Sequence, residues 1–163
     1  MKRHYVRDFL LAVGAMPMTP HRYRAKLFRR TGIVIGSDVV IYGGAHFIGD
    51  SHIYIGDNVF VNSQCFFDST APITVSSGVR IADHVRLITS THLLGPADQR
   101  AGKLTSSPIS VGKGVWIGSC AVVLPGVSIA DGCVIGAGAV VTNSTEPNGL
   151  YVGVPARRIK DLS

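Results

Sequence analysis

The chain has 163 residues, of which 46% are hydrophobic and only 16% charged, with 19 glycines and a formal net charge of +6. It is long enough for one domain with a sizeable core and too apolar to be disordered. Its three cysteines, an odd number at spacings that match no zinc pattern, argue against a disulfide framework and point to a reduced, cytosolic compartment.

The charge is unevenly placed. Residues 1–30 hold eight Lys/Arg against Asp8 alone, whereas residues 31–163 hold eight against nine acids. The opening stretch MKRHYVRDFLLAVGAMPM imitates a signal peptide. Its apolar run from Phe9 to Met16 is short, has Asp8 at its edge, ends at Pro17 and cannot span a bilayer. Residues 5–31 read as helix: RDFLLAV and HRYRAKLFRR carry apolar and basic residues at helical spacing on either side of MPMTP. Thr19 before Pro20 resembles an N-cap followed by proline at the first helical position. Residues 1–32 are therefore expected to form a helical cap, with Leu27 and Phe28 packed on the open end of the chain's main body. Its basic face is either simply solvated or meets anionic lipid headgroups or a phosphate-bearing glycolipid. No nucleic-acid motif accompanies it.

From Ile35 an aliphatic or aromatic residue recurs every six positions: Ile35, Ile41, Phe47, Ile53; Ile55, Val61, Phe67, Ile73; Val75, Ile81, Leu87, Leu93; then Val111, Ile117, Val123, Ile129, Ile135 and Val141. A second inward position, four residues later, is small: Val39, Ala45, Val59, Cys65, Ala71, Val79, Val85, Val115, Ala121, Val127, Cys133, Ala139. One large and one small side chain per face suit a narrow triangular core, with Gly, Asp and Asn at the turns between faces. The segments IGSDV, IGDNV, VSSGV, VGKGV and IADGC start at 35, 55, 75, 111 and 129, at intervals of 20, 20, 36 and 18. Three hexads make one coil, so 36 reads as two coils. Such coils satisfy one another's backbone edges and gain stability by stacking.

This register is identified as that of the hexapeptide-repeat family, and the resemblance implies an all-β, left-handed parallel β-helix. The helix is expected over 33–145, with an excursion loop at about 93–108 and a C-terminal tail over 146–163. The stretch from Pro108 to Lys160, PISVGKGVWIGSCAVVLPGVSIADGCVIGAGAVVTNSTEPNGLYVGVPARRIK, resembles the C-terminal half of galactoside and maltose O-acetyltransferases and of bacterial polysaccharide O-acetyltransferases. The resemblance implies a cytoplasmic homotrimer with sites between subunits. It would use acetyl-CoA as acyl donor and no metal, and would act on a hydroxyl of a sugar, polysaccharide or glycolipid precursor, as in polysaccharide biosynthesis.

The loop THLLGPADQRAGKLTSSP leaves the repeat, and a loop of that length in a small domain is usually functional. His92 begins it, where the family carries its catalytic base. An imidazole titrates in the physiological range, so it can take a hydroxyl proton as the oxygen attacks a thioester and return it to the departing thiolate. No acyl-enzyme is needed, so no cysteine is required as nucleophile. The family's proline after the histidine is Leu93 here, and a glutamate that several relatives carry in the loop is Lys103. Asn62 and Asp68, at second positions of their hexads with side chains expected to point outward, match family residues that contact the acceptor sugar and help set up the histidine: an asparagine can bind sugar hydroxyls as donor and acceptor, and a carboxylate can accept from them or orient an imidazole. For acetyl-CoA the resemblance implies Ser119 and Ala137 at the pantetheine, Thr142 and Asn143 near the nucleotide, and Arg157 and Lys160 at the phosphates. Trp116 packs beside the donor or fills a corner. Three other functions share the coil. An N-acetyltransferase of an amino sugar or antibiotic differs only in acceptor. A γ-type carbonic anhydrase needs three converging histidines, and neither His46/His52 nor His84/His92 has the required spacing. The last is a silent trimeric scaffold.

Overall fold

The computed structural model describes residues 2–163, with side chains from Tyr5 onward. Two helices, Lys2–Ala15 (α1) and His21–Arg29 (α2), precede a parallel coil that lays one short strand per turn on each of three sheets. The first sheet stacks Val34–Ile35, Ile53–Ile55, Ile73–Val75, Ile109–Val111 and Ser128–Ile129. The second stacks Val40–Ile41, Phe60–Val61, Arg80–Ile81, Trp116–Ile117, Val134–Ile135 and Gly149–Val152. The third stacks His46–Ile48, Phe66–Asp68, Arg86–Ile88, Val122–Val123 and Val140–Val141. Gly149–Val152 pairs in parallel with Val134–Ile135, so the coil runs past residue 145, where the sequence placed its end.

The hexad register explains the core. Ile41, Val61, Ile81, Ile117 and Ile135 are aligned one per coil on the second sheet and fully buried; the small residues Cys65, Val85, Ala121 and Ala139 are buried at its junction with the third. The turns demand left-handed backbone. At the edge between the first and second sheets it is taken by Asp38, Asn58, Gly78, Gly114, Gly132 and Asn148, residues that tolerate it well. At the next edge it falls to Gly44, Gln64, His84, Cys120 and Gly138. His84 and Cys120 are thus turn residues of the coil.

The interval of 36 is one coil, not two. Ile73 pairs with Ile109 and Val75 with Val111, so the coil from Val75 to Val111 carries all the extra residues. They form an antiparallel hairpin, Ser90–Leu94 with Ala101–Ser106. Ser107 N–H donates to the Thr89 carbonyl at 2.9 Å and closes its root, so the excursion starts at residue 90, earlier than expected. Leu93, assigned to the inward register, is on the hairpin and 56% exposed.

α2 seals the open end of the coil. Phe28 is fully buried and meets Phe47 edge-on at 4.9 Å, and Phe47 stacks on Phe67 at 4.7 Å. Leu27 is only half-buried. Pro20, not Thr19, is the N-cap of α2; the Thr19 hydroxyl instead donates to the Val13 carbonyl at the end of α1. The basic segment is not wholly a solvated face. Arg24 is buried and donates to the carbonyls of Gly14, Met16 and Pro17, at and just past the end of α1. Arg29 donates to Ile35 and Gly36, and Arg7 to Gly49.

Candidate active site

Two edges of the prism carry the residues singled out in the sequence. The edge between the third and first sheets holds Asp68, the hairpin with His92, and Thr142 and Asn143. The edge between the second and third sheets holds Asn62, Asp83, Ser119 and Ala137. One chain therefore does not bring His92 to Asn62, Ser119 and Ala137.

His92 is exposed on the first strand of the hairpin, opposite Leu104. Its Nδ1 lies 2.8 Å from the Gly102 carbonyl oxygen. A carbonyl only accepts, so Nδ1 carries the proton and Nε2 presents its lone pair outward. The main chain at Gly102 thus does the orienting that a side chain does in many histidine bases. Neighbouring Lys103 is exposed and is not needed for it.

Asp68 takes the outward position expected of it, alternate to the core residue Phe67, but it is not open to a ligand: it is 3% exposed and accepts from Thr70 N–H and Oγ1 on one oxygen and from Ser90 N–H and Oγ on the other. Burial pushes the carboxyl up, but these four donors outweigh it and hold it below the ordinary carboxylate range. Asp68 therefore ties the hairpin root, two residues before His92, to the coil beneath. Ser90 and Thr70 carried no sequence signal, because the contact to Ser90 spans 22 residues of chain.

Asn62 is half-buried, with its Oδ1 accepting from Ser63 N–H at 2.8 Å; among the described residues nothing takes its amide NH₂, which stays a donor for a ligand oxygen. Ser119 donates to Asp83 at 2.6 Å and holds that carboxyl below its usual range. Asp83 stands one coil above Asn62 in the equivalent turn, the one clue by which sequence could have found it. Ala137 is exposed in the next coil. Thr142 donates to Asn143 at 2.9 Å on the other edge. Arg157 and Lys160 are exposed on the final strand, Arg157–Asp161, which pairs antiparallel with Gly149–Val152. Trp116 is 56% exposed on the flat outer face of the second sheet, so it does not fill a corner. The Cys65 thiol is pushed up to about 11 by burial and stays protonated at neutral pH. Among the described residues no three His, Cys, Asp or Glu side chains converge on a metal position.

A parallel three-sided coil with a small helical cap at its N-terminal end matches the fold of the left-handed β-helix acetyltransferases. The bacterial transferase hexapeptide family (six repeats) matches residues 108–143. Galactoside O-acetyltransferase of Escherichia coli (strain K12) is 41% identical over 91 residues, 56% of this chain and 45% of that protein. The chain thus spans about half the length of the curated relatives it matches. Over nearly the whole chain, the crystal structure of a maltose O-acetyltransferase from Clostridium difficile 630 superposes with a TM-score of 0.78 at 30% identity, covering 99% of this chain and 86% of that one. A galactoside acetyltransferase in complex with coenzyme A gives a TM-score of 0.87 at 28% identity, covering 99% and 82%. The chain belongs to the hexapeptide-repeat acetyltransferases.

Proposed function

We propose that this chain is an acetyl-CoA-dependent O-acetyltransferase that acetylates a sugar hydroxyl directly, as a homotrimer with its sites between subunits. The observation that carries this reading is His92, held through Nδ1 by the Gly102 carbonyl with Nε2 free. Nε2 takes the acceptor's hydroxyl proton as the oxygen attacks the thioester carbonyl. The C–S bond then breaks, and the imidazolium returns the proton to the CoA thiolate, giving an acetyl ester and free CoA thiol. The protonated Cys65 fits transfer without an acyl-enzyme. Placing His92 on one edge, and Asn62, Ser119 and Ala137 on another, supports a site closed by a neighbouring subunit. Asn62 would donate to an acceptor hydroxyl; Ser119, Ala137, Thr142, Asn143, Arg157 and Lys160 would line the donor. Asp68 enters as a positioning residue, since its oxygens are already taken. The reading is tested by following thiol release from acetyl-CoA against hydroxyl and amino acceptors. Release with sugars lacking an amine supports it, and release only with amino sugars replaces it by N-acetylation.

A cytoplasmic location at the inner face of a membrane, on precursors of envelope polysaccharide, belongs to the same reading. It is supported by α1, whose outward side exposes Tyr5 (70%) and Phe9 (65%) beside a segment rich in Lys and Arg. Sedimentation with vesicles containing phosphatidylglycerol, but not with neutral phosphatidylcholine vesicles, is expected; no binding to either removes the membrane from the reading.

A further inference from the structure

A cavity of about 520 Å³ lies between α1 and the first two coils, outside the positions assigned to either substrate. Its walls are chiefly apolar: Leu11, Ala12 and Ala15 of α1 face Ala45 and Phe47 of the coil. Asp8, His46 and Gln64 supply its polar atoms. Gln64 belongs to the same turn as Asn62, so the cavity opens onto the edge that carries the proposed acceptor position. That edge is ordered by height. Ala137 and Ser119 stand at the fifth and fourth coils, Asp83 at the third, Asn62 at the second, and the cavity at the first and second. The hairpin with His92 is inserted in the third coil. Each coil rises about 4.8 Å. Donor and acceptor approaching the third coil from opposite ends would leave the far part of the acceptor one or two coils below, at the cavity mouth.

We infer that the acceptor is an amphipathic glycoside whose apolar aglycone occupies this cavity while its sugar lies at Asn62. The inference rests on the O-acetyltransferase reading. A polar sugar chain would leave Leu11, Ala12 and Ala15 facing hydroxyls, whereas an alkyl or prenyl group removes that apolar surface from water. Asp8, His46 and Gln64 suit the junction between sugar and aglycone, where polar atoms begin.

The test compares octyl with methyl β-glucoside, the octyl compound kept below its micelle concentration. The wild-type KM for the octyl glucoside is expected to be at least about tenfold lower, the effect of about two buried methylenes. Ala12→Trp fills the cavity from an exposed helix position and should abolish that preference, leaving kcat and the KM for the methyl glucoside unchanged. Ala15→Leu is the second filling variant. Equal wild-type KM values, or an octyl preference surviving both variants, overturn the inference. Titration calorimetry with octyl glucoside reads the cavity without turnover. Binding lost in Ala12→Trp upholds the cavity even if no glucoside is acetylated, and absence of binding overturns it.

Discussion

His92→Ala is expected to lower acetyl-transfer turnover by roughly 10²–10⁴-fold, the range a positioned general base contributes. Far-UV circular dichroism, oligomeric mass and CoA affinity should stay at wild-type values. The reason is local. His92 is exposed, and its one hydrogen bond within the described residues is to the Gly102 carbonyl, so its removal opens no cavity in the core. The hairpin keeps its pairing through Ser90–Ser106 and Thr91–Thr105. What is lost is the lone pair on Nε2. Wild-type turnover in the variant would remove His92 from the chemistry and with it the proposed mechanism.

The second large effect is expected from Asp68→Asn, a nearly isosteric change. Asn offers one acceptor oxygen where Asp68 offers two, and turns an NH₂ either toward Ser90 N–H or toward Thr70 N–H, so a buried donor loses its partner. Since the site is two residues from His92, the root of the hairpin shifts. A misplacement of about 1 Å at a catalytic group can cost on the order of 10²-fold. We expect kcat to fall about 10- to 100-fold with the KM for acetyl-CoA unchanged, together with faster tryptic cleavage after Arg100 or Lys103 in the hairpin. Wild-type kcat with wild-type cleavage would refute the positioning role. The pH dependence has a defined sign. The folded carboxyl sits below its unfolded value, so its stabilisation is complete above about pH 4, the ordinary Asp range, and is lost as pH falls through the folded value. The wild-type hairpin should therefore stay anchored from neutral pH to about 5, whereas the variant is loosened throughout.

The coil was legible because its core is a strict period. A side chain every six residues must point to the axis, and nothing else in the fold competes with that demand. The hairpin was legible as a departure but not as a shape. The interval of 36 equals two coils of 18, and only the pairing of Ile73 with Ile109 shows that it is one coil with an insertion. Asp68 was read as open to an acceptor because hexad position predicts direction, not partners, and Ser90 reaches its carboxylate from the next coil. The support of His92 was invisible for a simpler reason: a main-chain carbonyl leaves no mark on residue identity. Arg24 looked like part of a charged surface, and only the geometry of the α1 terminus turns its guanidinium inward.

The closed root of the hairpin has a consequence for how such a chain diversifies. Thr89 and Ser107 are already bonded, and the coils on either side stay in register, so residues 90–106 form a cassette hung on an uninterrupted frame. Lengthening or rewriting it costs mainly loop-closure entropy, which grows slowly with length. Substitutions at the tip, Gly95 to Arg100, change what the hairpin presents to its surroundings while the stacked core continues to set the stability of the whole.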